Sequence, residues 1–247
     1  MNHIPSERRI EEASLNAWPA LNQLLLDGWL LRFSRGFTKR ANSIVPLYPE
    51  LEPMEGKIRC CENLYAREQL QTIFRLTSIT ACESLDSCLA DRGYRHADPT
   101  EVLTADLSLP GSTSGSTIKL LSLEDWLTLY ARFTGMPQQA RHLHGAILKG
   151  IHSQCALAML EDRSGPLVCG LGVLEHDLLG LFDIYTHPDR RGRGHAATLV
   201  GQLLDWGRNQ GATTAYLQMI ASNSAARALY SKFGFTRAYD YWYRISG

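Results

Sequence analysis

One stretch constrains the fold of this chain more than any other: Leu179-Gly-Leu-Phe-Asp-Ile-Tyr-Thr-His-Pro-Asp-Arg-Arg-Gly-Arg-Gly-His-Ala-Ala-Thr-Leu-Val-Gly-Gln-Leu-Leu-Asp-Trp206. Leu181 to Thr186 is a run of strand formers. His187-Pro188 ends it, because proline has no N–H to give a ladder. Arg191-Gly192-Arg193-Gly194-His195-Ala196 follows. Beyond it Ala196, Leu199, Val200, Leu203, Leu204 and Trp206 recur at helical spacing. The stretch predicts strand, glycine-rich turn, helix. A helix start presents unpaired N–H groups and the positive end of its dipole, which suits a phosphate. The glycines let the backbone approach an anion closely, and Arg190, Arg191 and Arg193 add positive charge. Two common phosphate loops are absent. No Gly-Lys-Ser/Thr occurs, and Gly192-x-Gly194 leads to Ala197 instead of the third glycine of the dinucleotide fingerprint.

A second pattern follows. Tyr216-Leu-Gln-Met-Ile220 reads as a strand, and Ala221-Ser-Asn-Ser-Ala-Ala-Arg-Ala-Leu-Tyr-Ser-Lys-Phe-Gly-Phe235 as a helix with its ends marked. Ser222 or Asn223 can cap its start, and Gly234 reads as its stop.

The spacing Arg191-x-x-Gly194-x-Ala196, after a strand ending in Tyr-Thr-His-Pro, resembles the acetyl-CoA pyrophosphate loop of the GNAT superfamily of N-acetyltransferases. Asn223-x-x-Ala226-x-x-Leu229-Tyr230-x-x-x-Gly234-Phe235 resembles the closing motif of that superfamily, with every anchor present. The likeness covers Ile118 to Gly247 firmly and the first half loosely. It implies an α/β GNAT fold: a mixed, mostly antiparallel sheet flanked by helices and splayed where the donor enters. It also implies direct transfer of acetyl from acetyl-CoA, as acyl-donor co-substrate, to a primary amine. A splayed strand leaves backbone groups free to pair with the pantetheine amides. That gives Ile184 and Thr186, flanking Tyr185, to the pantetheine arm. The N–H groups from Arg191 through Gly192, Arg193, Gly194 and His195 to Ala196 go to the pyrophosphate. Asn223 is expected to bond the pantetheine or the helix start. Tyr230 holds the general-acid position, where a phenol can protonate the departing sulfur. Asp183 is the expected base or amine anchor, since an acid inside an apolar strand is costly unless used. Glu175 and His176, at the end of the neighbouring strand, are its rivals. A salt bridge from Asp183 to an arginine of the first half is the alternative to a catalytic role.

The first half is expected to carry helices over Ser6–Ala20, Lys57–Phe74 and Ser84–Asp91, and strands over Gly28–Phe33, Ala41–Leu47 and Glu101–Leu107. Leu89-Ala-Asp-Arg-Gly-Tyr94 echoes Tyr230-Ser-Lys-Phe-Gly-Phe235, so a repeat is expected. Glu50-Leu-Glu-Pro-Met-Glu55 stands nearest the phosphate-loop position, and its three carboxylates would repel a pyrophosphate. The reading is a degenerate GNAT-like unit, and the half also resembles the first part of bacterial and mycobacterial two-part GNAT proteins. Pro110-Gly-Ser-Thr-Ser-Gly-Ser-Thr117 reads as a linker. The expected domains are 1–112, degenerate, and 113–247, catalytic. In the second half, helices are expected at Leu121–Phe133 and Gln138–Ile151 and a hairpin at Gln154–Glu175.

Zero formal net charge across 247 residues argues against a nucleic-acid partner held by bulk charge. No apolar run approaches about eighteen residues, so no membrane span is expected, and no apolar signal core opens the chain. A cytoplasmic protein acting on a small-molecule amine or peptide is the expectation, with room for a homodimer. The six cysteines include no C-x-x-C pair, and His142, His144, His152 and Cys155 fit no common zinc spacing, so no metal is expected. Two competing readings remain open: a CoA-binding regulatory module without turnover, and an acetyltransferase acting on a protein.

Overall fold

A computed structural model describes residues 6–48, 51–80, 83–108 and 118–247. Helix α1 (Glu7–Asn16) starts where the Arg9 N–H donates to the Ser6 hydroxyl, and it turns Ile10, Ala13 and Leu15 inward. Then come β1 (Asn22–Leu26), β2 (Trp29–Phe33), β3 (Ile44–Pro46), α2 (Met54–Arg67), β4 (Ile73–Thr77), α3 (Glu83–Asp91) and β5 (Arg95–Asp106). The second half holds β6 (Lys119–Leu120), α4 (Leu123–Thr134), α5 (Gln138–Lys149), β7 (Gln154–Asp162), β8 (Gly165–Glu175) and β9 (Leu178–Thr186). It closes with α6 (His195–Asn209), β10 (Thr214–Ile220), α7 (Ser224–Tyr230) and β11 (Thr236–Ile245).

The class is mixed α/β, and the sheet is mostly antiparallel, as expected. All eleven strands form one sheet in the order β1-β2-β3-β4-β11-β5-β10-β9-β8-β7-β6. Only the β3–β4 and β9–β10 pairings are parallel among the described residues. The last strands of the two halves interleave. β5 pairs with β10 and β11, and β11 pairs with β4 and β5. One apolar cluster also crosses the halves, joining Ile10 and Trp18 to Trp126, Phe182, Tyr216 and Tyr239.

Several elements differ from the sequence reading. The helix expected over Lys57–Phe74 stops at Arg67, the chain turns through Gln69 at φ +57°, and the buried Ile73–Thr77 becomes β4. β1 was not legible, because as an edge strand it is mostly exposed and shows no alternation. β11 begins at Thr236 and β5 at Arg95, each earlier than the aromatic and apolar runs suggest. The Pro110–Thr117 linker, with the 112/113 boundary inside it, lies outside the described residues.

In the first half, residues 51–53 lead into α2, and β3 and β4, which flank α2 in the chain, pair in parallel as β9 and β10 do around α6. The Leu51 and Glu52 N–H groups there donate to the Asp27 carboxylate at 3.0–3.1 Å. Lys57 Nζ, almost fully buried, joins them at 3.1 Å. An internal carboxylate thus occupies amides that would otherwise face an external anion.

Candidate active site

The β9–β10 ladder ends at Leu181↔Leu217, while β9 runs on to Thr186 and β10 to Ile220. Past that point the strands separate, and the β9 edge from Phe182 to Thr186 has no ladder partner on that side. On its other side β9 stays paired with β8, with a bulge where Asp183 and Ile184 face Gly170. Asp183 takes φ +50° there, a strained region for any residue with a Cβ, which Asp and Asn enter most readily. At Gly170 an added Cβ would lie 2.5 Å from Ile184 Cδ1, so the end of that side chain would have to move. The Gly170 carbonyl accepts from the Trp126 indole N–H at 3.2 Å.

The bulge sets the Asp183 carboxylate between two side chains of the flanking helices. Oδ2 lies 2.9 Å from His144 Nε2 on α5, and Oδ1 accepts from the Tyr130 hydroxyl on α4 at 3.3 Å. His144 is 1% exposed and Asp183 16% at the side chain. Four aromatic rings, Trp18, Phe37, Trp126 and Tyr130, stand 5.2–5.9 Å from the imidazole. His144 Nδ1 is buried without a partner. An ionised carboxylate only accepts, so toward the Asp183 carboxylate the imidazole is the donor, through Nε2. Burial first, then the Asp183 charge, hold the Tyr130 phenol well above its ordinary range, so it too remains a donor.

A cleft of about 1090 Å³ opens at the splay. Asp183, Ile184, Tyr185 and Thr186 line it, as do Arg191, Gly192, Arg193, Gly194, His195 and Ala196. Asn223 and Tyr230 complete the set, so the donor-binding and acid candidates read from the two motifs line one cleft. Gly194 caps α6 at φ +81° and Gly192 sits at φ +74°, so backbone conformation requires both glycines; nothing crowds their Cβ positions. Arg191 donates to the Tyr185 hydroxyl at 2.9 Å. Asn223 Oδ1 accepts from the Ala226 N–H at 3.0 Å and caps α7. Tyr230 ends α7 and packs edge-on against Phe235, and its hydroxyl makes no hydrogen bond among the described residues. Burial pushes its phenol up to about 12.

The rivals for the base lie elsewhere. Glu175 and His176 occupy the opposite end of β8, where Glu175 accepts from Asn16 and Ser153. The partner of Asp183 is an imidazole and a phenol, not an arginine of the first half. Sequence reasoning missed Tyr130 and Arg40, and it weighed His144 only as a metal ligand. The apolar stripe of α4 and α5 hides both ring donors among core residues. Among the described residues no group of three or more His, Cys, Asp or Glu could hold a metal ion, and no helix is long and apolar enough to cross a membrane.

A smaller cavity of about 290 Å³ adjoins the cleft and shares Arg40, Asp183, Gln218 and Ile220 with it. First-half residues Trp18, Thr38, Lys39, Asp98 and Thr100 wall it, together with Tyr241 and Tyr243 of β11.

Residues 6–244 match the family described as "Probable histone acetyltransferase Rv0428c C-terminal". The chain is 27% identical over 245 residues to the uncharacterized N-acetyltransferase YobR of Bacillus subtilis, covering 96% of this chain and 98% of that one. Its fold is similar to that of a GCN5-related N-acetyltransferase from Kribbella flavida, with a TM-score of 0.73 at 13% identity over 97% of this chain and 95% of that one. It is also similar to a tandem GNAT protein from the clavulanic acid biosynthesis pathway, with a TM-score of 0.57 at 11% identity over 83% and 75% of the two chains.

Proposed function

This chain belongs to the Rv0428c C-terminal acetyltransferase family of the GNAT superfamily, and from that premise we propose that it transfers acetyl from acetyl-CoA to the primary amine of a small molecule. The observation that carries the reading is the convergence of the splayed β9 edge, the α6 start, Tyr230 and Asp183 on one cleft. Its donor set suits the molecule. Free strand amides match pantetheine amides, while the start of the fifteen-residue α6 with Arg191 and Arg193 matches a pyrophosphate.

Acetyl-CoA supplies an activated acetyl thioester. Asp183 receives a proton from the incoming ammonium and frees its lone pair, with His144 and Tyr130 keeping the carboxylate in place. The C–N bond forms and the C–S bond breaks. Backbone N–H groups at the β9 edge donate to the carbonyl oxygen as it gains charge. Tyr230, protonated at neutral pH, gives its proton to the departing sulfur and recovers one from the new amide nitrogen. One proton is released in all.

The small cavity beyond Asp183 supports a small acceptor, because first-half residues wall it. The family description names a histone acetyltransferase, which favours a protein acceptor as the second reading. A thiol-release assay against small amines, peptides and a histone separates them. Release with small amines supports the proposal, and release with histone or peptide alone supports the second reading. Tight acetyl-CoA binding without release for any acceptor points to a regulatory CoA-binding module.

A further inference from the structure

The cavity beside Asp183 carries two opposite charges that do not meet. Lys39 and Asp98, at its wall, pair with each other at 2.5 Å. That leaves Asp183 and Arg40. Both line the cavity and the cleft, yet no ion pair joins them, and Arg40 has no carboxylate partner among the described residues. The polar partners of Asp183 are the neutral Tyr130 phenol and the His144 ring. Arg40 is held at 5.7 Å over the Trp18 ring and 5.9 Å over Phe182, with its Nε buried and unpaired. Gln218, on the same wall, also has a buried Nε2 without an acceptor. Two donors therefore lack an acceptor where the cavity joins the cleft.

The surroundings deepen this imbalance. Behind the cavity lie the buried guanidiniums of Arg32 and Arg75, against the single carboxylate of Glu11. Glu11 is taken by Arg75 and by the Tyr239 hydroxyl at 2.7 Å. The two Arg32 Nη groups donate to main-chain carbonyls of Leu15, Trp18 and Arg40, while its Nε is buried without a partner. No carboxylate remains for Arg40. Burial works to raise the Tyr241 phenol beside it, but Arg40 and Arg75 outweigh burial and hold it below its ordinary value. The hydrogen-bond partner of Arg40 is the Tyr241 phenol, so its buried positive charge has a polar contact but no carboxylate counter-charge among the described residues.

We propose that the acceptor is an α-amino acid or a close amino-carboxylate, its ammonium on Asp183 and its carboxylate on Arg40. The inference rests on the acetyl-transfer reading and narrows its substrate. A volume of about 290 Å³ suits a single amino acid. Trp18, Tyr241 and Tyr243 give its side chain an aromatic wall. A guanidinium offers two parallel N–H donors to a carboxylate, so it selects for that group and against the uncharged amide. A peptide N-terminus, whose neighbouring carbonyl is an amide, leaves Arg40 unpaired.

The test compares each of the common α-amino acids with its own carboxamide in the thiol-release assay, using the intact wild-type protein. At least one amino acid is expected to exceed its carboxamide by about 100-fold in kcat/KM, the scale for stranding one partner of a buried charge pair. Arg40→Gln is expected to lower the amino acid far more than its carboxamide, so that the acid-to-carboxamide ratio falls to about 1. The wild-type comparison stands even if that variant folds poorly. Equal rates for acids and carboxamides, or turnover confined to amines and peptides without a carboxylate, overturn the inference while the acetyl-transfer reading stands. Absence of release with every amine contradicts that reading, and this inference with it.

Discussion

His144 Nε2 lies 2.9 Å from Asp183 Oδ2, and this contact joins a buried imidazole on α5 to a carboxylate on a bulged, splayed strand. The bulge turns Asp183 out of the strand's alternation at φ +50°, and the imidazole and the Tyr130 phenol fix where its oxygens point. In the proposed reaction His144 would act through Asp183, as a positioning residue. His144→Gln keeps an N–H donor near the Nε2 site, whereas His144→Phe keeps the ring and loses the donor. We expect kcat to fall by about tenfold or more in the Phe variant and to recover largely in the Gln variant, with the acetyl-CoA Kd unchanged in both. Equal rates in the two variants would contradict the positioning role.

Tyr230→Phe removes one oxygen from a residue whose ring already packs on Phe235. Turnover is expected to drop on the order of 100-fold or more, with acetyl-CoA affinity kept; unchanged turnover rules out the acid role. The phenol also predicts a pH effect on stability. Burial raises it from an ordinary value of about 10 to about 12 in the folded chain. Its contribution is therefore complete below pH about 10 and is lost as pH rises through about 12. The Tm difference between wild type and Tyr230→Phe should shift against wild type across that window.

Gly194→Val puts a branched residue at φ +81° in a place with open space around it. The cost is conformational, on the order of 1–2 kcal/mol, so a Tm loss of a few degrees is expected. The side chain also projects over the α6 start, so calorimetry should show acetyl-CoA binding weakened by about tenfold or more. Unchanged affinity would remove the pyrophosphate from this loop.

The interleaved strands predict that residues 118–247 do not form a stable unit alone. Without β5, both β10 and β11 lose a neighbour, which leaves bare strand edges that invite aggregation. Size-exclusion chromatography of the fragment should show aggregate or an unfolded chain, and co-expression with residues 1–108 should restore a soluble species. A monodisperse folded fragment would contradict this account.

Much of the site was legible in the sequence because its parts are local. The loop from Arg191 to Ala196, the Asn223 cap and Tyr230 each sit in a short pattern whose spacing carries the geometry, and Asp183 stands out as a charge in an apolar strand. What was hidden is non-local. Tyr130 and His144 look like ordinary members of amphipathic helices until the fold brings them to Asp183. Arg40 sits far upstream, and only the continuous sheet sets it beside the cleft. The exchange of β5 and β11 likewise leaves no trace in composition or period, since each strand reads alike whichever neighbour it pairs with. β4 was lost because its five buried residues show no alternation and lie a short turn beyond a helix.

The most direct test of the account is the rate of acceptor-dependent CoA release by wild type and Asp183→Asn, each saturated with acetyl-CoA. Asn tolerates the positive φ of residue 183 and keeps its shape, so the change removes the charge and little else. The account predicts release by the wild type and a loss of about 100-fold or more in the variant, with the acetyl-CoA Kd unchanged. Equal release by the two proteins, with acetyl-CoA bound to both, would contradict it.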